Sequence, residues 1–308
     1  MSSLQLTDTV VMISPDQFGF NPQTAASNNF QHKLDISTHE IQKRALQEFE
    51  NMVALLRSKG INVLTLPSRK NVITPDAVYP NNWFSHHVGG VLIVYPMLAP
   101  NRRLERQIQE LKKLLIDNKI PVSKLFDITS HESEGHILEG TGSMVLDRKN
   151  KVAFAMASVR TDKQEFDAWC RMMGYEGIFF HAIDSSKFPV YHTNIAMNMA
   201  QEFAVVCLES IPDEGERKTV EEKLKAFGKE IVKISVAQIH QYCGNVLQLV
   251  SKNGKPLIVM SKTAHDAFTK ENREILSKYG ELVVAEIPTL EQVGGGSARC
   301  MLAEVFKK

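Results

Sequence analysis

Residues 194–234 read NIAMNMAQEFAVVCLESIPDEGERKTVEEKLKAFGKEIVKI, and this stretch decides the fold. Two apolar runs, 194–199 and 203–208, meet at a short polar turn and read as paired strands. The charged, amphipathic run 214–227 reads as a helix, and 231–234 returns to an apolar strand. The same order recurs on both sides. Runs 143–146 and 152–157 flank the polar turn 147–151; Thr161 or Asp162 can cap a helix over 163–173, and 177–181 returns as a strand. Runs 245–250 and 256–260 pair across Asn253-Gly254, followed by a helix over 269–279 and a strand over 282–287.

Upstream, a strand near Trp83 turns at Gly89-Gly90 into 91–95, and a helix-like run over 102–118 follows. The final apolar run, 298–306, has no partner downstream. A strand over 10–13 could supply it, followed by a helix over 38–59 and a strand over 61–64. Strand pairs thus begin near residues 83, 143, 194, 245 and 299, a repeat of roughly 50–60 residues. Five open units would leave sheet edges exposed, and a ring closed by the N- and C-terminal segments removes them. An ordinary mixed α/β sheet is the competing reading, because strand–helix alternation is common. No low-complexity linker divides the chain, so one domain over 1–308 is expected.

The 308 residues are 43% hydrophobic and 23% charged, enough to bury a large core. With 36 basic against 35 acidic residues the formal net charge is +1. That balance argues against a dedicated nucleic-acid or membrane surface, which shows as a basic excess. The start MSSLQLTDTV lacks the pattern of a secretory signal, and no apolar run approaches the roughly 18 residues of a membrane span. Cys170, Cys207, Cys243 and Cys300 are scattered without C-x-x-C spacing, so neither a structural zinc site nor a disulfide framework is expected. The expected setting is a reducing cytoplasm in which one cysteine can be a nucleophile; Cys170 and Cys207 read as buried packing residues.

Each unit opens on unusual residues. The entries are Asn81-Asn82-Trp83, Glu139-Gly140-Thr141-Gly142, His192-Thr193-Asn194, Gly244-Asn245, and Gly294-Gly295-Gly296-Ser297-Ala298-Arg299-Cys300. If the units are related by rotation, equivalent positions converge on the axis. A cysteine, a histidine, a glutamate and several amides would then share one pocket. Those are the parts needed for covalent catalysis by an activated thiol.

The segments PNNWFS (80–85), LEGTGSMVLDR (138–148), YHTN (191–194), CGNVLQL (243–249) and GGGSARCMLAE (294–304) resemble the motifs of the guanidine-modifying enzymes. That superfamily includes arginine deiminases, dimethylarginine hydrolases and amidinotransferases, and the resemblance spans nearly the whole chain in order. It implies an α/β fold, the five-bladed α/β propeller or pentein, which matches the repeat. It implies Cys300 as nucleophile, with His192 protonating the leaving nitrogen and then activating water, and Glu139 orienting and charge-stabilising the histidine. The glycines before Cys300 permit the tight turn that delivers the thiol. A thiolate needs a positive neighbour, either His192 in its protonated form or a cationic substrate. Arg160, in ASVRT, resembles the SxRT segment in which the family holds a substrate α-carboxylate, a task suited to a bidentate arginine. Arg299 is a second candidate, or could raise the thiolate fraction of its neighbour. Asn245 is expected to help shape the pocket. No metal and no cofactor are implied.

Arginine-processing members grip the guanidinium with aspartates at the positions of Asn82 and Asn194. Burying a guanidinium without a carboxylate is costly. A neutral ureido group makes no such demand, and amide side chains can both donate to it and accept from it. The combination therefore looks like the bacterial citrulline-utilisation hydrolase branch, implying conversion of citrulline to ornithine, CO2 and NH3 through a covalent thioester on Cys300. Asp76, six residues before Asn82, could fold back to supply the missing carboxylate. One alternative keeps the site but makes it an arginine deiminase or dimethylarginine hydrolase. A metal hydrolase could use His86, His87, His131, His136 and Glu139, although His131 and His136 are five apart rather than the four of a helical zinc pair. A non-enzymatic propeller would need no cysteine and histidine at matched entries. The expected partner is a small-molecule amino acid, with no nucleic acid and no membrane; homo-oligomer formation stays open. Segment 17–33 is a candidate lid.

Overall fold

In four of the five units a polar turn closes an antiparallel strand pair, and a helical segment carries the chain to a third strand parallel to the second. The computed structural model describes residues 5–307, so the first four residues of the MSSLQLTDTV start lie outside the described residues. Five three-stranded sheets result. They are Phe84–His87, Val91–Val94 and Lys124–Asp127; Met144–Asp147, Val152–Met156 and Glu176–Phe180; Met197–Met199, Phe203–Val206 and Glu230–Lys233; and Leu247–Val250, Pro256–Ser261 and Glu281–Ala285. The fifth joins the two chain ends, with Thr9–Ile13 antiparallel to Ala303–Val305 and parallel to Asn62–Leu66. Neighbouring sheets touch: Ala303–Val305 lies beside Phe84–His87, and Met197–Met199 contacts both Met144–Asp147 and Leu247–Val250.

The helices are set by pattern and caps. Thr38–Ser58 buries Ile41, Ala45, Phe49, Met52, Val53 and Leu56, one face at the three- and four-residue spacing of a helix. Each large apolar side chain removed from water there contributes about 1.5–3 kcal/mol. Ser37 starts this helix by accepting from the Glu40 N–H. Asp162 does the same for Lys163–Met173 by accepting from the Glu165 N–H, which selects it over Thr161 as the cap. Losing either cap would cost about 1 kcal/mol.

Three expectations are corrected. Four of the five unit entries are single helical turns, not the first residues of strands: Pro80–Asn82, Gly140–Ser143, Thr193–Ala196 and Ala298–Met301. Short polar side chains tie these turns to backbone: the Ser143 hydroxyl accepts from the local Glu139 N–H at 2.9 Å, and the Thr193 hydroxyl donates to the Ser143 carbonyl of the preceding unit at 2.6 Å. The run 102–118 breaks into Pro100–Arg103 and Ile108–Asp117, and the break carries Arg102 and Glu105 into the interior. Strand Lys124–Asp127 and helix Lys262–Ala267 were not anticipated at all. Gly244 shows why these turns can converge: a Cβ there would collide with the Ile195 carbonyl oxygen of the preceding unit's entry. Among the described residues, no helix is long and apolar enough to cross a membrane.

Candidate active site

The entry turns meet at one buried cavity lined by Cys300, His192, Asn82, Asp76 and Arg160, with Arg102 among its walls. Cys300 is 3% exposed and sits in the turn Ala298–Met301. Two amides face its sulfur. Asn245 Nδ2 donates to Sγ at 3.2 Å and Asn194 Nδ2 at 3.5 Å. Asn245 Oδ1 accepts from the backbone N–H of Arg299 at 3.0 Å and of Cys300 at 3.4 Å. Because backbone N–H groups only donate, the Asn245 amide can be oriented in only one way, with its NH2 end toward the sulfur. Asn245, expected only to shape the pocket, thus holds the cysteine turn and its side chain together. Cys170, Cys207 and Cys243 lie elsewhere as free buried thiols; burial pushes them up to about 12, 11 and 12 respectively.

His192 precedes the turn Thr193–Ala196, and its Nε2 lies 2.8 Å from Glu139 Oε2. Arg160 Nη1 is 3.5 Å from the same oxygen. Burial alone would raise the Glu139 carboxyl, but Arg160, His192 and Arg102 together hold it well below the usual carboxylate range. An ionised carboxylate only accepts, so the proton between the pair sits on Nε2 and the imidazole lone pair is on Nδ1. Burial, reinforced by Arg160 and Arg102 and opposed by Glu139, brings His192 down to about 4. The two guanidiniums already offset the charge of Glu139, so a further positive charge on the ring is not needed there. The neutral ring is thus favoured near pH 7, which weighs against His192 as the thiol's positive neighbour, one of the two sources considered above. Gly142 leaves room for the ring: a Cβ there would lie 2.8 Å from His192 Nδ1 and Cε1 and collide with Asn82 Nδ2.

Arg102 was not singled out from sequence, where it only begins the helix-like run 102–118. It is 2% exposed, and its Nη1 donates to Asn82 Oδ1 at 2.8 Å. Nε and Nη2 donate to Glu105 at 2.9 and 3.0 Å. Asp76 Oδ2 accepts from Asn21 at 2.7 Å and from the Thr24 hydroxyl at 3.3 Å, with Arg102 Nε 3.9 Å away. Burial raises the Asp76 carboxyl despite Arg102 and Asn21. Among the described residues, buried Asp76 Oδ1, Asn81 Nδ2 and Asn194 Oδ1 have no hydrogen-bond partner. Such groups are rare inside proteins; of the three residues Asp76 lines the cavity, where a ligand's polar atom would fit.

The segment 17–33 reaches this cavity, with Asn28 in its lining. Arg160 Nη2 donates to Ser27 Oγ at 2.8 Å and to the Thr24 carbonyl at 3.3 Å, while the His32 N–H donates to the Gln292 carbonyl at 2.7 Å. About 10 Å³ remains for the centre of a water molecule, roughly one water's worth. Arg299 does not join the site. Its guanidinium turns away to Glu304 at 2.9 Å and the Leu302 carbonyl, lining a separate cavity that also holds Arg148. The histidines weighed for a metal are scattered, each with its own neighbour: His86 with the Pro121 carbonyl, His87 with Ser85, His131 with Glu165, His136 with Asp162. Among the described residues, no group of three or more His, Cys, Asp or Glu side chains is placed to hold a metal.

A repeated α/β fold that brings a cysteine, a histidine and a glutamate to one buried centre defines a class, the guanidine-modifying superfamily of C–N hydrolases and their relatives. The chain belongs to the family described as "N,N dimethylarginine dimethylhydrolase, eukaryotic", whose pattern matches residues 14–307. Among solved structures, the product-bound N-terminal domain of ArgZ, a cyanobacterial arginine dihydrolase, matches with a TM-score of 0.73 at 15% identity, covering 97% of each chain. DDAH from Pseudomonas aeruginosa complexed with citrulline matches with a TM-score of 0.65 at 14% identity, covering 97% of this chain and 99% of the other. Apo ArgZ is longer: at 14% identity and a TM-score of 0.71, 96% of this chain spans only 40% of it. At such identities the likeness is one of fold. No curated protein matches in sequence.

Proposed function

We propose that this chain hydrolyses citrulline to ornithine, CO2 and NH3, with Cys300 as nucleophile, His192 as acid/base and Glu139 as the group that orients and stabilises His192. The observation that carries the reading is the amide character of the reaction centre: Asn194 and Asn245 bond the sulfur, and Asn82 faces the same cavity. The one carboxylate beside His192, Glu139, is already engaged by His192 and Arg160. A neutral ureido carbon fits such a centre at less electrostatic cost than a guanidinium.

The same cavity also holds groups that suit an α-amino acid head. Arg160 and Asp76 are both tied to the segment 21–27, one positive and one carrying an unpartnered oxygen. Arg160 would take the α-carboxylate and Asp76 the α-ammonium. On this reading Asp76 serves the amino-acid head and not the ureido group.

Neutral His192 takes the thiol proton at Nδ1 as the sulfur attacks the ureido carbon. The imidazolium, held by Glu139, gives that proton to the δ-nitrogen of departing ornithine, leaving a carbamoyl thioester on Cys300. Water then adds to the thioester while His192 takes one of its protons. The carbon–sulfur bond breaks, the proton returns to sulfur, and the carbamic acid released decomposes to NH3 and CO2. Ornithine release from citrulline by purified protein, abolished in Cys300→Ala, tests the reading. Absence of ornithine release would overturn it.

A second reading keeps the site and takes arginine or a methylated arginine, forming an amidino-thiol intermediate; the family match favours it. Net production of citrulline from arginine or a methylated arginine would decide for it. We also read the five sheets as blades of one closed propeller forming a single catalytic domain, supported by the shared sheet of the two chain ends. A reducing cytoplasm would suit the nucleophilic thiol and the three other free cysteines.

A further inference from the structure

Arg102 touches no reacting atom in the steps above, yet it fixes the polarity of a side chain that faces the reaction centre. An arginine side chain has N–H donors and no acceptor. Its contact with Asn82 at 2.8 Å must therefore be made to the amide oxygen. Arg102 cannot swing away easily: Glu105 accepts two of its N–H bonds, and the Tyr79 and Asp76 carbonyls accept at 3.3 and 3.4 Å. The Asn82 NH2 end is turned the other way. It donates to Asn81 Oδ1 at 3.2 Å and lies against Gly142, beside His192.

We infer that Arg102 is a specificity-determining positioning residue, which locks the Asn82 amide so that this position offers substrate a donor and withholds an acceptor. The inference rests on the proposed citrulline reading and deepens it. A ureido carbonyl oxygen accepts an amide N–H. A guanidinium carries only N–H donors and a positive charge, so it would meet N–H with N–H while Arg102 stands behind. An aspartate at 82 would behave differently, because its second oxygen would still accept from a guanidinium after the first had accepted from Arg102. Selection against arginine is thus a property of the Arg102–Asn82 pair.

The test is the ratio of kcat/KM for citrulline to that for arginine in four proteins. In Arg102→Gln the shorter amide can present either end, Asn82 is freed to turn, and the ratio should fall roughly tenfold or more. Arg102→Lys, which still only donates, should keep the ratio near that of the parent even if both rates drop. Because Arg102→Gln strands a buried carboxylate, the double variant Arg102→Gln/Glu105→Gln serves if the single one does not fold. Asn82→Asp should move the ratio toward arginine with Arg102 intact. A ratio unchanged in the folded Gln variant would overturn the inference while leaving citrulline hydrolysis standing. A parent that never consumes citrulline would instead overturn the substrate reading, and this inference with it.

Discussion

Asn245 holds Cys300 at two points, with Nδ2 3.2 Å from the sulfur and Oδ1 3.4 Å from the backbone nitrogen. A one-turn helix carrying a nucleophile is easily displaced, and this clamp sets where the sulfur points. Asn245→Ala should lower kcat for citrulline about 100-fold, the scale of losing one preorganised donor. Steady-state rates on folded protein check this, and near-parental kcat would reduce the amide to packing.

Gly142 is the second steric requirement. A methyl group there would press on His192 and Asn82 together. Gly142→Ala should cost about 1–3 kcal/mol in urea unfolding, the usual range for overpacking. It should also lower kcat by more than about tenfold, because the base and the substrate-facing amide shift at once. Loss of stability with kcat intact would show that the ring has slack.

The depressed His192 makes a pH prediction for stability. Its folded-state value of about 4 lies below the 6.5 of an ordinary histidine. As pH falls, the unfolded chain therefore binds the proton first. The contribution is fully present above 6.5 and lost progressively toward 4, amounting to about 3 kcal/mol. Glu139, also depressed, adds to the loss below its ordinary range. Urea midpoints between pH 7 and 4.5 should fall steeply for the parent and less for His192→Gln. Parallel curves would mean that His192 titrates normally.

With room for about one water, the cavity must widen to admit an amino acid, and 17–33 is the candidate lid. The His32 amide, bonded to Gln292, should exchange with deuterium through local opening, faster than amides of Val152–Met156 in the core. Saturating citrulline with Cys300→Ala should slow that exchange at least several-fold. Exchange unaffected by ligand would place entry elsewhere.

Much of this was legible in residue order because the units obey simple periodicities. The helix 163–173 stands as expected, capped by Asp162, and strands at both chain ends share a sheet. The entries were legible as positions but not as turns, since one helical turn has no period to detect. Lys124–Asp127 escaped because its largely exposed KLFD carries no apolar alternation. Arg102 escaped because its basic surroundings resemble a solvated helix face; only the break after Arg103 shows that it points inward. Arg299 misled in the opposite sense. Adjacency to Cys300 in sequence placed it near the site, but neighbours on a tight turn point in different directions, and its guanidinium reaches Glu304.

The central claim is a covalent bond between Cys300 and the ureido carbon of citrulline. Rapid acid quench during turnover, followed by mass spectrometry of the peptide carrying Cys300, tests it most directly. A carbamoyl group on Cys300, formed from citrulline and absent in Cys300→Ala, is the predicted result. An unmodified Cys300 under conditions where ornithine accumulates, or an amidino group formed from arginine with citrulline inert, would contradict it.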